Sequence, residues 1–172
     1  MDYRQELQQN GYVLIDNTSY ADLLDNELLE FKWNDQYRIR ENAPTNHLET
    51  VNSILFAIHT DLENTYIAPY TTEYELKSRN LWEGLSQNTD VWHHDSIDLK
   101  TGNVFFLLYF NDMIDEGALW VKNATEERRI VPKKGTLVIL NNDPSDVWKH
   151  RAETANNKRI TAKFGFFVKW KT

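Results

Sequence analysis

His93, His94 and Asp95, together with a distant His150, are the residues in this chain whose types and spacing could do chemistry. In an extended strand, residues i and i+2 leave the same side, so His93 and Asp95 can converge on one point while His94 turns away. A nitrogen and an oxygen donor so placed make two ligands of a facial set of three. The third has to come from a distant strand. Two histidines and one carboxylate, with open positions opposite, suit non-haem Fe(II), whose free face can take oxygen and a cosubstrate. The chain has five histidines. His47 and His59 fall within a helical pattern, where packing or solvent exposure is the ordinary role. His150 stands in DVWKHRAE, inside the β-rich part of the chain and just past a turn. Alternatives stay open at this point. Asp95 can instead cap a turn, and His150 can be a half-exposed strand histidine. The same ligand set can hold zinc for hydrolysis, although H-E-x-x-H is absent and no glutamate is obviously placed to activate a zinc-bound water.

The elements that must position these residues follow from hydrophobic period and turn chemistry. Asp2 to Gln9 reads as a short helix ended by Gly11, with Tyr12 to Asp16 as a first strand. Ser19 is expected to cap a helix through Ala21–Phe31, with Leu23, Leu24, Leu28 and Leu29 at helical spacing. NDQYRIRENAPTN reads as loop or a short edge strand. A stronger helix follows Pro44, with the apolar stripe Leu48, Val51, Ile54, Leu55, Ile58 and Leu62 packed against a sheet. From about Tyr74 the texture becomes β: a loosely alternating YELKSRNLWEGL, then Val104–Phe110, Ala118–Val121, Arg128–Val131, Thr136–Leu140, Asp146–Glu153 and Arg159–Trp170. The stretches NDMIDEG, KNATEE, PKKG, NNDPS and TANNK punctuate them as antiparallel turns do. Helices between successive strands are missing, which argues against a parallel α/β sheet. The expected fold class is mainly β (α+β): two or three helices, then a double-sheet sandwich or barrel. Residues 1–172 are expected to form one domain, with 1–72 supporting a core of 73–170.

Composition narrows the function classes. The 172 residues are 41% hydrophobic, which suits one packed domain. A formal charge of −7 argues against a nucleic-acid partner. There is no cysteine, so disulfides, iron–sulfur clusters and cysteine nucleophiles are excluded. The N-terminus lacks the layout of a signal peptide and no stretch has the length of a membrane span, so a cytoplasmic protein without a membrane partner is expected. Trp82, Trp92, Trp120 and Trp148 read mostly as core, or else as pocket wall. Arg128, Arg129, Lys133 and Lys134 read as a solvated basic face, with an acidic substrate as the alternative.

From about Tyr74 to Trp170 the chain resembles the Fe(II)- and 2-oxoglutarate-dependent dioxygenases, in their prolyl-4-hydroxylase-like branch. The resemblance is carried, in order, by His93-x-Asp95, Leu108-Tyr109-Phe110-Asn111, Asp115-Glu116-Gly117-Ala118, Pro132-x-x-Gly135-x-Leu137-Val138, His150 and Arg159. Tyr109 stands fourteen residues after Asp95, and Arg159 nine after His150. The hairpin departs from the family's common Gly-Gly by reading Glu116-Gly117. The resemblance implies a double-stranded β-helix (jelly roll) core. It implies Fe(II) held by His93, Asp95 and His150, with 2-oxoglutarate and O2 as cosubstrates. Arg159 would pair with the distal carboxylate of 2-oxoglutarate, a planar fork meeting a carboxylate. Tyr109 and Thr161 would add hydroxyls to that pocket.

The activity so implied is hydroxylation of an unactivated C–H bond in an amino acid, a prolyl or peptidyl residue, or a small molecule. The short N-terminal part raises the small-molecule and free-amino-acid expectation. Two other readings compete: a cupin-like metal enzyme that does not use 2-oxoglutarate, and a non-catalytic β-sandwich binding protein.

Overall fold

The computed structural model describes residues 3–24, 45–84, 91–94, 102–143, 147–155 and 159–171, with backbone only at 45–48, 80 and 82–84. Helix α1 (Tyr3–Asn10) leads into strand β1 (Tyr12–Ile15), as the pattern predicts. The bend between them requires Gly11. Its φ is +74°, and a Cβ there would lie 2.2 Å from the indole of Trp148. Helix α2 (Thr45–Leu62) carries the expected stripe, with Val51, Leu55, Ile58 and Leu62 buried. A π-helical turn (Glu63–Ile67) ends it and feeds strand β2 (Thr71–Gly84). Strands β3 (Val104–Tyr109), β4 (Leu119–Lys122), β5 (Glu127–Ile130), β6 (Leu137–Asn141), β7 (Lys149–Ala152) and β8 (Arg159–Trp170) follow.

The helix expected over Ala21–Phe31 differs at its start. The chain makes a 3-10 turn over Ser19–Leu23, and Leu24 is already extended at φ −106° and ψ 113°. Thr18, not Ser19, stands at the cap position, and its hydroxyl donates instead to the carbonyl of Gly135 at 2.8 Å. The turn is tied to α2 by the Tyr20 hydroxyl donating to Asp61. The remainder of that expected helix, and the NDQYRIRENAPTN loop, lie outside the described residues.

The strands form two antiparallel sheets. One has five strands in the order β1-β6-β3-β8-β2, and the other three in the order β5-β4-β7. This is the mainly β, double-sheet architecture of a double-stranded β-helix. Strand β1 is part of the larger sheet, pairing with β6 from Tyr12↔Leu140 to Ile15↔Leu137.

Strand β3 is a nearly continuous hydrophobic run because both of its faces are covered. Val104, Phe106 and Leu108 pack with Phe164, Phe166, Val168 and the helical residues Leu7, Val51, Leu55 and Ile58. Phe105 and Tyr109 turn the other way and pack with Leu119, Val121, Ile130, Val138, Leu140 and Trp148 of the inter-sheet core. His59 belongs to the helix side: its ring lies 5.8 Å from that of Phe166 and its Nε2 is 3.1 Å from Glu63. It is a packing histidine. The side chain of His47 lies outside the described residues.

Gly11→Ala is expected to destabilise the protein by about 2–4 kcal/mol, combining left-handed backbone strain with overpacking against Trp148. Thermal or denaturant unfolding checks this; an unchanged midpoint would mean that the indole does not pack on Gly11.

Candidate metal and cosubstrate site

His93 and His150 come together as a backbone pair. The His93 N–H donates to the His150 carbonyl at 3.0 Å, and the His150 N–H returns to the His93 carbonyl at 3.1 Å. Partners in such a closely bonded antiparallel pair project to the same side. Their ring centroids are 4.6 Å apart at an interplanar angle of 58°. His150 is 7% exposed and opposite Val121, an inter-sheet core residue. The two imidazoles therefore meet on the interior side of the smaller sheet. The Nδ1 of His93 lies 2.6 Å from the carbonyl of Val91. A carbonyl only accepts, so Nδ1 carries the proton and the ring's lone pair is left on Nε2, the tautomer a metal-ligating histidine needs.

Alternation sends His94 to the other face, where its Nε2 is buried without a hydrogen-bond partner among the described residues. Asp95 lies outside the described residues. Among those described, no group of three or more His, Asp or Glu side chains is placed to hold a metal ion.

The second cluster stands on the larger sheet. Tyr109 is opposite Thr161 in the β3–β8 ladder, and Arg159 precedes Thr161 by two, so all three leave the same face. Tyr109 is fully buried. Burial pushes its phenol pKa up, and the nearby Arg159 charge lowers it in part. The Arg159 Nη1 donates to the carbonyl of Gly117 at 3.0 Å. That carbonyl is aimed by a left-handed turn: φ is +65° at Gly117, and a Cβ there would stand 2.6 Å from Met113. The Glu116-Gly117 departure thus keeps the one glycine that the geometry requires. The Thr161 hydroxyl is 5% exposed by residue and has no partner among the described residues. An orphaned buried hydroxyl beside a guanidinium and a phenol makes a cradle suited to a carboxylate.

The remaining motif residues act on backbone. Asn111 Oδ1 accepts the Ile160 N–H at 2.8 Å, fixing the start of β8 next to Arg159. The Pro132–Gly135 turn returns bonds to Tyr109: Gly135 N–H to the Tyr109 carbonyl at 2.9 Å, and Tyr109 N–H to the Thr136 carbonyl at 3.0 Å.

Several side chains depart from the sequence expectation. Trp148 is core, but Trp92 and Trp120 are half-buried and covered by cations instead. The Lys122 Nζ is 4.2 Å from the Trp92 ring centroid, and the Arg151 guanidinium lies 5.1 Å from Trp92 and 4.8 Å from Trp120. The basic residues Arg128, Arg129, Lys133 and Lys134 are exposed, as a solvated face requires, and three of them make ion pairs at the surface: Arg129 to Glu153 at 2.8 Å, Lys134 to Asp22 at 2.9 Å and Arg128 to Glu126 at 3.7 Å. Lys163 escaped the sequence reading altogether. It is 6% exposed, on the same face of β8 as Arg159 and Thr161, with its ammonium 3.7 Å from the Phe105 ring centroid. Period-two alternation from Arg159 was the available signal.

No family model matches the chain, and no curated protein does. Solved structures do. A prolyl hydroxylase from Trichoplax adhaerens, in complex with a hypoxia-inducible factor oxygen degradation domain peptide fragment, aligns at a TM-score of 0.63 with 16% identity, over 97% of this chain and 88% of that one. A 2OG-Fe(II) oxygenase family protein from Burkholderia pseudomallei gives 0.64 and 14%, over 96% and 88%. A prolyl-4-hydroxylase from Pseudomonas putida gives 0.60 and 16%, over 99% and 92%. The chain has the fold of the 2-oxoglutarate–Fe(II) oxygenases. The similarity to these prolyl hydroxylase structures covers 97% and 99% of the chain. No helix among the described residues is long and apolar enough to cross a membrane.

One clasp holds the small sheet beside this site. Glu153 accepts from Arg129 at 2.8 Å and from the Ala118 N–H at 3.1 Å. The Arg129 guanidinium, first, and the Ala118 N–H hold its carboxyl below the usual carboxylate range. A carboxyl so lowered adds stability above its unfolded pKa, and this is lost as pH falls through the folded value. The pair is about one-third exposed, so the effect is about 1 kcal/mol or less. Glu153→Gln should lower Tm at pH 7 by about 1–3 °C and leave it unchanged near about pH 2. Equal deficits at both pH values would contradict the ionic origin.

Proposed function

We propose that the protein is an Fe(II)- and 2-oxoglutarate-dependent oxygenase that hydroxylates an unactivated C–H bond of an amino acid, a prolyl or peptidyl residue, or a small molecule. The observation that carries this reading is the pairing of His93 with His150 on the interior side of one sheet, with Arg159, Tyr109 and Thr161 on the interior side of the other. His93 and His150 would be the nitrogen ligands of the iron and Asp95 the carboxylate, a donor set whose chemistry fits that metal. Arg159 would take the distal carboxylate of 2-oxoglutarate.

The bound iron and cosubstrate supply the oxidation, 2-oxoglutarate being converted with O2 to succinate and carbon dioxide as the substrate is hydroxylated. The protein's part is positioning. The Val91 carbonyl holds the His93 ring in one tautomer. The Gly117 carbonyl anchors Arg159 by one nitrogen and leaves the guanidinium fork to orient a carboxylate. The Tyr109 phenol stays protonated at neutral pH because burial raises its pKa, so it remains a donor. The inter-sheet core around Phe105, Val121 and Trp148 keeps bulk water from that side. None of these groups has to act as a general base.

Aerobic succinate formation from 2-oxoglutarate, with Fe(II) supplied, tests this function. The wild type should form succinate, and His150→Ala should reduce the rate at least about 100-fold. Arg159→Ala should raise the KM for 2-oxoglutarate about 10- to 100-fold, the loss of a charge-assisted contact, with iron binding retained. Succinate formation unaffected by His150→Ala, or none from folded, iron-loaded wild type, would contradict the reading.

A further inference from the structure

The smaller sheet has three strands where the larger has five, and among the described residues nothing pairs with the far edge of its outer strand β5. The ladder fixes where the backbone groups of β5 point. The Asn123 N–H donates to the Glu126 carbonyl at 3.0 Å, and these two residues continue the β4–β5 register by one step. Bonded pairs recur at every second residue of an antiparallel ladder. Arg128 and Ile130 therefore bond to β4, and Glu127, Arg129 and Val131 aim their N–H and C=O groups outward. An edge of this kind is a template for one more strand. Beside it lies β1, the outer strand of the larger sheet. Tyr12 and Leu14 leave the inter-sheet face of β1, and Tyr12 packs partly against the core around Phe105. Leu14 is left 40% exposed. The two edges bound a cleft of about 330 Å³, lined by Tyr12, Leu14 and Asp16 from the side of β1 and by Arg129, Val131 and Lys133 from the side of β5. That volume is ordinary for a ligand cleft.

We propose that an extended, acidic segment of a partner protein docks in this cleft as a fourth strand on β5. Main-chain bonds to Glu127, Arg129 and Val131 would hold it, and its alternate apolar side chains would cover Tyr12 and Leu14. Charge selects the partner. Arg129 is already bound to Glu153, and Asp16 accepts the Thr136 hydroxyl at 3.3 Å. The exposed Lys133 ammonium has no carboxylate partner among the described residues. An acidic residue of the incoming strand would supply one. A second copy of this chain fits less well. Antiparallel pairing of β5 with itself would set Arg128, Arg129 and Lys133 against the same cations, and like charges across a strand pair repel. The proposal is independent of the oxygenase reading, because no residue of the cleft belongs to the histidine pair or to the cluster around Arg159.

The test uses the full chain, labelled with nitrogen-15, and short capped peptides of alternating valine and threonine. One set carries a pair of glutamates at either end, and a control set carries lysines there instead. The glutamate peptides should move the amide signals of Glu127, Arg129 and Val131 and slow their hydrogen exchange. Arg128 and Ile130, already bonded to β4, should change less. Glutamate peptides should bind at least about 10-fold more tightly than lysine peptides, and Lys133→Glu should reverse that order. Val131→Pro removes one outward donor and no ladder bond, so it should weaken the glutamate peptides about 5-fold. No response at these amides, or equal binding of the two sets by wild type, overturns the proposal whether or not the variants fold. Binding that a folded Val131→Pro leaves unchanged would be charge attraction without strand addition, and overturns it too. The same amides shifting when the protein alone is concentrated would make a second copy the occupant and overturn the choice of partner.

Discussion

The antiparallel ladder between β3 and β8 does two jobs on opposite faces, and the site depends on both being in register. On one face Val104, Phe106 and Leu108 meet Phe166, Phe164 and Ala162 under the helices. On the other, Tyr109 meets Thr161, and Leu107 meets Lys163. A slip of one residue would exchange the faces, burying Arg159, Thr161 and Lys163 under the helices and turning phenylalanines into the interior cleft. The ladder is pinned at both ends by asparagine side chains. Asn103 accepts the Val168 N–H at 2.8 Å and donates to the Val168 carbonyl at 3.1 Å, and Asn111 accepts the Ile160 N–H at 2.8 Å. A side-chain amide imitates a backbone unit and extends the pairing by one step beyond the strand. That is the physical role of the asparagine in the Tyr109-x-Asn111 spacing.

With this ladder fixed, the smaller sheet only has to present His150 at the right height. Its inner residues Leu119 and Val121 pack on Phe105 and Tyr109, so the hydrophobic core and the candidate site share one set of contacts. On the outer side, Trp92 and Trp120 are held by Lys122 and Arg151. Because Trp92 adjoins His93 and Arg151 adjoins His150, this cation–π stack reinforces the same strand pairing from behind. Such contacts contribute about 0.5–2 kcal/mol each and act at the bridge that brings the two imidazoles together.

Much of this was legible in the sequence, because alternation, turn residues and hydrophobic runs are local signals. The helix stripe ending at Leu62, the strand at Val104–Tyr109 and the long final strand at Arg159–Trp170 all appear as the pattern predicts. The sequence also separates His93 from His94 by strand geometry, and the structure puts His93 opposite His150. Other features depend on what lies across from a residue, which a single chain does not display. Lys163 looks like another charge in a basic segment until Phe105 is seen beneath it. Trp92 and Trp120 look like core until the neighbouring cations are known. The leucines after Ser19 predict a helix from Ala21, but its start is a 3-10 turn that becomes extended at Leu24, with the Thr18 hydroxyl bonded to Gly135; residues 25–31 lie outside those described.

The central claim is that His93 and His150, with Arg159 and Tyr109 facing them, make one site for Fe(II) and 2-oxoglutarate together. Anaerobic visible spectroscopy tests it most directly. Fe(II) added to the metal-free protein in the presence of 2-oxoglutarate should produce a metal-to-ligand charge-transfer band that requires both components and disappears in His93→Ala. Folded, iron-loaded wild-type protein that shows no such band on adding 2-oxoglutarate would contradict the account.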